Sequence, residues 1–140
     1  MNYWLLAGGL ANILAGFLHI GVIIFGASWY QFFGAGQSMV QMVKEGRIFP
    51  HLLTLAIALL LFGWGVYAFA GAYHSFVLPY TRWVILCITS VYLIRGIGGF
   101  FIKPDIDYTQ AFLWYSSAIC IIIGGIHAIG LIQVWRQLEQ

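Results

Sequence analysis

The chain has 140 residues, of which 62% are hydrophobic and only 7% charged, too few charges to solvate the surface of a water-soluble domain of this size. The composition therefore specifies an integral membrane protein with a single domain. A net charge of +2 and the lack of any basic patch exclude nucleic acid as a partner.

A helix needs about 20 apolar residues to cross the hydrocarbon core. Four segments qualify, at roughly 3–25, 49–70, 82–102 and 111–135. The first has no basic leader and no small-residue cleavage site, so it reads as a retained span rather than a signal peptide. Residues 26 to 51 form the one long connection. It opens at Gly26 and carries an aromatic cluster of Trp29, Tyr30, Phe32 and Phe33. Trp and Tyr favour the headgroup level, where a ring can be half wet. Gly34-Ala35-Gly36 predicts a bend. Residues 37–45 alternate apolar Met39, Val40, Met42 and Val43 with polar Gln41, Lys44 and Glu45, the pattern of a short helix lying in the interface plane. This connection is read either as a lid on the bundle or as an apolar linker. Pro50 suits the first turn of the second span, where its missing N–H costs nothing, and Gly71 is placed at that span's end. The third span is expected to stop at Lys103-Pro104.

Short second and third connections make neighbouring spans antiparallel, which predicts an all-α, up-down-up-down four-helix bundle; strands are not expected in lipid. Four spans put both termini on one side. Lysine and arginine are almost evenly divided between the two sides, and the loop side has no net charge, so the termini are placed in the cytoplasm.

Glycines are frequent in every span, among them Gly8, Gly9, Gly16, Gly63, Gly65, Gly96, Gly98, Gly99, Gly124, Gly125 and Gly130. They let helix backbones approach closely, so a leucine at Gly98 or Gly125 is expected to disrupt assembly.

Three ionisable residues fall within spans: His19, Arg95 and His127. Such groups are costly in hydrocarbon and each is a functional candidate. Counting from the terminal side at about 1.5 Å per residue, His19 lies ~24 Å in, Arg95 ~20 Å and His127 ~13 Å, close to Asn12. The polar residues thus sort into two layers. The loop-side layer holds His19 and Arg95, with His51 at the rim and Glu45 able to dip in. The second holds Asn12 and His127. Asn12 and His19 share one face of the first span, and Ser116, Cys120 and His127 one face of the fourth. Each residue also has a plainer reading: Arg95 snorkels to the headgroups, and each histidine satisfies a neighbouring backbone or side chain.

No catalytic constellation is present: no Ser-His-Asp set, no carboxylate pair within a span, no HExxH and no phosphate loop. Cys87 and Cys120 lie in different spans with no CxxC, so no thiol-redox or cysteine-metal motif exists. Asp105 and Asp107 are read as facing water; two carboxylates are too few for a calcium cage. Bis-histidine haem is disfavoured, because His19 and His127 differ by about 10 Å in depth while axial ligands face one iron. The absence of an acid within any span also disfavours a small-multidrug type of antiporter.

Gly16-x-x-His19, the run Trp29-Tyr30-Gln31-Phe32-Phe33-Gly34-Ala35-Gly36, Pro50, Leu78-Pro79-x-x-Arg82 and Tyr92-Leu93-Ile94-Arg95-Gly96 together resemble the DoxX-like group of small bacterial four-span membrane proteins. The resemblance implies the four-span fold and a bacterial inner-membrane location; some members of that group resemble subunits of quinone-linked oxidoreductases. The reading that results is a non-catalytic membrane protein binding a lipid-like or quinone-like amphipath in a loop-side pocket. His19, Arg95, His51 and Glu45 would anchor the ligand, and Trp29, Tyr30 and Phe33 would close over it. Two alternatives stand beside it: an accessory subunit of a larger respiratory or transport complex, or a proton-conducting or small-solute transporter. Membrane lipids are the expected partners, with a homo-oligomer or a larger complex as the expected assemblies.

Overall fold

The computed structural model describes residues 1–73, 78–103 and 108–138. Among these residues are six helices: α1 Tyr3–Phe25, α2 Ala27–Phe32, α3 Gln37–Lys44, α4 Phe49–Tyr73, α5 Thr81–Phe101 and α6 Gln110–Val134. No strand occurs among the described residues. Helices α1, α4, α5 and α6 are each long and apolar enough to cross a membrane, which makes this a multi-pass membrane protein. Their outer faces are as apolar as their inner ones, with Leu10, Phe17, Ile94 and Ile132 all exposed. A helix hydrophobic on every side is at home in lipid, not water.

The spans form a ring. α1 packs on α4 and α6, α5 packs on α4 and α6, and α4 meets α6 only weakly across the middle. Lipid offers no hydrophobic drive between helices, so close backbone approach holds them together. At the α1–α4 crossing, a Cβ on Gly9 would stand 3.2 Å from the Gly65 carbonyl oxygen, and one on Gly65 3.3 Å from that of Gly9. At the α5–α6 crossing, a Cβ on Gly96 would come within 2.9 Å of the Ile121 backbone nitrogen. Between α6 and α1, a Cβ on Gly130 would meet the Leu5 nitrogen at 3.0 Å. Gly63, Gly98 and Gly125 behave differently from expectation: nothing lies within 4 Å of a Cβ at any of them. They face outward, so the disruption expected from Gly98→Leu or Gly125→Leu does not follow from packing within this chain.

Span boundaries agree with the sequence to within a residue except at one end. α4 continues past Gly71 to Tyr73, because Gly71 is a buried contact and not a terminator; a Cβ there would meet Ile85 at 2.6 Å and Leu5 at 2.9 Å. The third span stops at Phe101, just before Lys103; Pro104, Asp105 and Asp107, and with them the expected water-facing acids, lie outside the described residues.

Asn2 fastens the terminal end of the bundle. Its Oδ1 accepts from the Leu5 N–H at 2.9 Å and so caps α1. Its Nδ2 donates to Gln133 Oε1 at 2.8 Å on α6, and its backbone N–H donates to the Ala72 carbonyl at 2.8 Å on α4. The start of α1 therefore sits beside the end of α6, and both termini lie at one end. Beneath Asn2 is a core of Leu5, Ala72, Ile85, Leu131 and Val134. At the same end the Arg82 guanidinium lies 5.1 Å from the Trp83 ring and 5.3 Å from that of Trp135, an arrangement suited to a headgroup boundary.

At the opposite end the connection from α1 to α4 folds back over the bundle as two short helices. The residues expected to form only an aromatic cluster wind into α2, whose Trp29 and Tyr30 N–H groups donate to the Gly26 carbonyl. Winding sorts the rings. Tyr30 turns inward at 2% exposure while Phe32 stays outside at 80%, so Tyr30 is not the half-wet ring that headgroup preference predicts. The expected bend is present. Gly36 has φ 91° and ψ 150°, a region open in practice only to glycine. Gly34, at φ 69°, lies beneath the Phe112 ring of α6, in contact so close that a Cβ would overlap it. The expected helix follows as α3, with Val40 buried and Gln41, Lys44 and Glu45 exposed.

Candidate functional site

A cavity of about 210 Å³ lies under α2 and α3, against α1 and α4. His19 and Val22 reach it from α1, Tyr30 and Phe33 from α2, Met39 from α3, and Thr54 and Ile57 from α4. The lining is mostly apolar. Helix spacing accounts for the convergence: Leu53, Thr54 and Ile57 stand on adjacent turns of α4, as His19 and Val22 do on α1.

The hydrogen-bond directions in the cavity follow from donor counting. Thr54 Oγ1 donates its proton to the Pro50 carbonyl at 2.8 Å, so at 2.9 Å it accepts from the Tyr30 hydroxyl. That uses the single Tyr30 proton. His51 Nδ1, 3.3 Å from the same hydroxyl, must therefore donate to it. His51, Tyr30, Thr54 and Pro50 form a closed chain that ties α2 to the first turn of α4. His19 differs. Its Nδ1 is 2.7 Å from the Ala15 carbonyl, which can only accept. The proton thus sits on Nδ1, and Nε2 is left as an acceptor with no partner among the described residues.

Of the residues singled out in the sequence, the cavity brings together His19, Tyr30 and Phe33, with His51 one bond behind Tyr30. Trp29 is a support: it stacks on Phe25 with ring centroids 4.3 Å apart and lies over Gly21. Glu45 does not dip into the bundle. It accepts from Gln41 Nε2 at 3.1 Å and from Arg47 Nε at 2.9 Å in the open, and these two partners, Gln41 first, hold its carboxyl below the usual carboxylate range. Arg95 is not at the cavity either. It lies exposed between α5 and α6, where Nη2 donates to Ser116 Oγ at 3.2 Å.

The second polar layer is one connected group. Tyr92 donates to Asn12 Oδ1 at 2.5 Å, Asn12 Nδ2 donates to His127 Nε2 at 3.2 Å, and His127 Nδ1 donates to the Ile123 carbonyl at 2.9 Å. Each donor group in this chain has an acceptor, and the His127 ring is engaged at both nitrogens as an uncharged imidazole. Gly8 makes room for the ring: a Cβ there would meet His127 Cε1 at 2.7 Å. Asn12 and His127, expected only at a similar depth, are hydrogen-bonded to each other. Tyr92 links α5 to Asn12 and stacks on His127 at 5.9 Å; its hydroxyl was not among the groups singled out in the sequence, and its place in the polar run Thr89, Ser90, Tyr92, Arg95 was the available signal. On α6 the inward serine is Ser117, fully buried, rather than Ser116. Between the two layers the Phe62 ring presses on Gly16, so the polar seam is interrupted by packing.

Fold and site together define a four-span helical membrane protein with a helix-capped apolar cavity at one end. Compared with known protein families, curated proteins and solved structures, the chain matches none.

Proposed function

We propose that this protein binds an amphipathic small molecule, lipid-like or quinone-like, in the capped cavity, without performing catalysis. The observation that carries this is a largely apolar cavity with a single unengaged polar atom, Nε2 of His19. Ligand sites are mostly apolar with a few placed polar groups. At about 210 Å³ the cavity seats a ring or part of a chain and leaves the remainder to lipid. Neutral His19 accepts from a ligand O–H, such as that of a quinol or a lipid alcohol; protonated His19 donates to a carbonyl. The grouping with DoxX-like proteins and a bacterial inner-membrane location with cytoplasmic termini belong to the same proposal.

Native mass spectrometry in mild detergent tests it. The wild type should carry a bound amphipath that both His19→Leu and the cavity-filling Ile57→Trp lose. If both variants retain it as the wild type does, the cavity is not the site. Reporter fusions at Gln140 and Gln41 should give cytoplasmic and non-cytoplasmic signals respectively.

A second reading, as an accessory subunit, rests on the outward glycines Gly63, Gly98 and Gly125, each with open space before it. Another subunit's helix could approach there closely. Co-purification of further subunits, abolished by Gly98→Leu with Gly125→Leu, would favour it.

A further inference from the structure

Arg95 carries a full charge in a span with neutral company. Its bond is to Ser116 Oγ, whose own proton goes to the Leu113 carbonyl at 3.2 Å. Ser116 thus positions the guanidinium without compensating its charge. Among the described residues the salt bridge is Glu45 with Arg47, not with Arg95. A guanidinium has five N–H donors, and one serine engages one of them.

The side chain reaches one turn up its own helix. Arg95 Nη1 lies 2.6 Å from where a Gly99 Cβ would stand, and Gly99 is two residues, or ~3 Å, from the end of α5. The charge is thereby brought near headgroup depth. The missing side chain at Gly99 opens a notch between α5 and α6, and a second group occupies it. Ser117 Oγ would overlap a Gly99 Cβ; it is wholly buried and has no hydrogen-bond partner. Among the described residues, a cation without an anion and a hydroxyl without an acceptor share one notch. On their outer faces α5 and α6 expose apolar Ile94, Ile97, Trp114 and Ile119, surfaces suited to lipid.

We infer that the Arg95 guanidinium at the mouth of this notch, separate from the cavity, holds the phosphate of an anionic phospholipid. Arg95 offers parallel N–H donors in the geometry phosphate oxygens accept, and Ser117 lies behind it as a further donor. The notch lies on a span surrounded by lipid, where an anion carrying its own acyl chains is at home and a soluble anion is not. Basic pockets between spans are where anionic headgroups are bound. A zwitterionic head brings its own cation and is the poorer fit.

The test offers the purified protein equal amounts of phosphatidylglycerol and phosphatidylcholine with identical chains and counts bound lipids by native mass spectrometry. Wild type should retain phosphatidylglycerol preferentially. Arg95→Gln should reduce that preference about fivefold, the worth of one basic side chain against anionic lipid, and His19→Leu should leave it unchanged. Equal retention of the two lipids by the wild type overturns the inference without recourse to any variant. Undiminished preference in Arg95→Gln also overturns it. Displacement of phosphatidylglycerol by millimolar inorganic phosphate would replace the lipid with a soluble anion.

Discussion

Asn12 joins three spans through its two amide atoms, accepting from Tyr92 on α5 and donating to His127 on α6. In lipid neither partner finds water when the amide is removed. Asn12→Leu should cost about 1–3 kcal/mol, the penalty of stranding buried polar groups, whereas Tyr92→Phe should cost about 0.6–1.7 kcal/mol, the range for one bond between spans. Unfolding by denaturing detergent in mixed micelles measures both. Because the two residues share a bond, the double variant should lose less than the sum of the singles; strict additivity would show that the chain is not a unit. Glu45 gives a pH prediction of the opposite character. Its pKa is lowered from 4.5 by Gln41 and Arg47, so the tie it makes is fully present above pH 4.5 and is lost as the pH falls through the lower folded value. Glu45 is fully exposed, so the loss should be confined to the end of α3. A cavity ligand released in the same acid window would contradict this placement.

At the scale of elements, the spans were legible in the sequence because length and apolarity in a bilayer are nearly sufficient to specify them. Which glycines pack was not legible, since every turn of an all-apolar helix looks alike and only the partner decides which face is inner. Gly96→Leu should separate α5 from α6, because its obstacle is backbone, the Ile121 nitrogen and the Ser117 carbonyl, which cannot swing aside. Gly63→Leu and Gly125→Leu should leave a single chain's thermal stability unchanged. Equal losses at all three positions would place Gly63 and Gly125 in interfaces between chains. The site was legible in part for a similar reason. His19 and His127 stand out as ionisable groups in spans, but Asn2, Thr54 and Tyr92 make their bonds from positions that composition does not mark. Arg95 and His19 share a depth, and depth alone does not tell which wall of the ring a side chain faces.

The whole molecule has two unlike ends. The terminal end is closed: Asn2 links α1, α4 and α6, and a five-residue apolar core lies beneath it. The loop end has the cavity and is closed by α2 and α3, held to α4 through Tyr30, His51 and Thr54 and to α6 through Phe112 over Gly34. Only a few buried residues, Val22, Tyr30 and Val40, tie that cap to the bundle, so the cap should open at lower free energy than the bundle, as mobile elements do when few buried contacts hold them. Hydrogen exchange of the detergent-solubilised protein separates the two ends. Tyr30→Phe removes the hydroxyl on which His51 and Thr54 converge and should speed exchange in Ala27–Phe32 and Gln37–Lys44 while α1's first turn stays as protected as before. Asn2→Ala should do the reverse, at a cost of about 1 kcal/mol for the lost cap. Ligand binding should slow exchange of the cap in the wild type and do so less in Tyr30→Phe, because a loosened cap must be ordered again. If either variant raised exchange evenly along the whole chain, the bundle and cap would be one cooperative unit, and opening the cavity would require unfolding the protein.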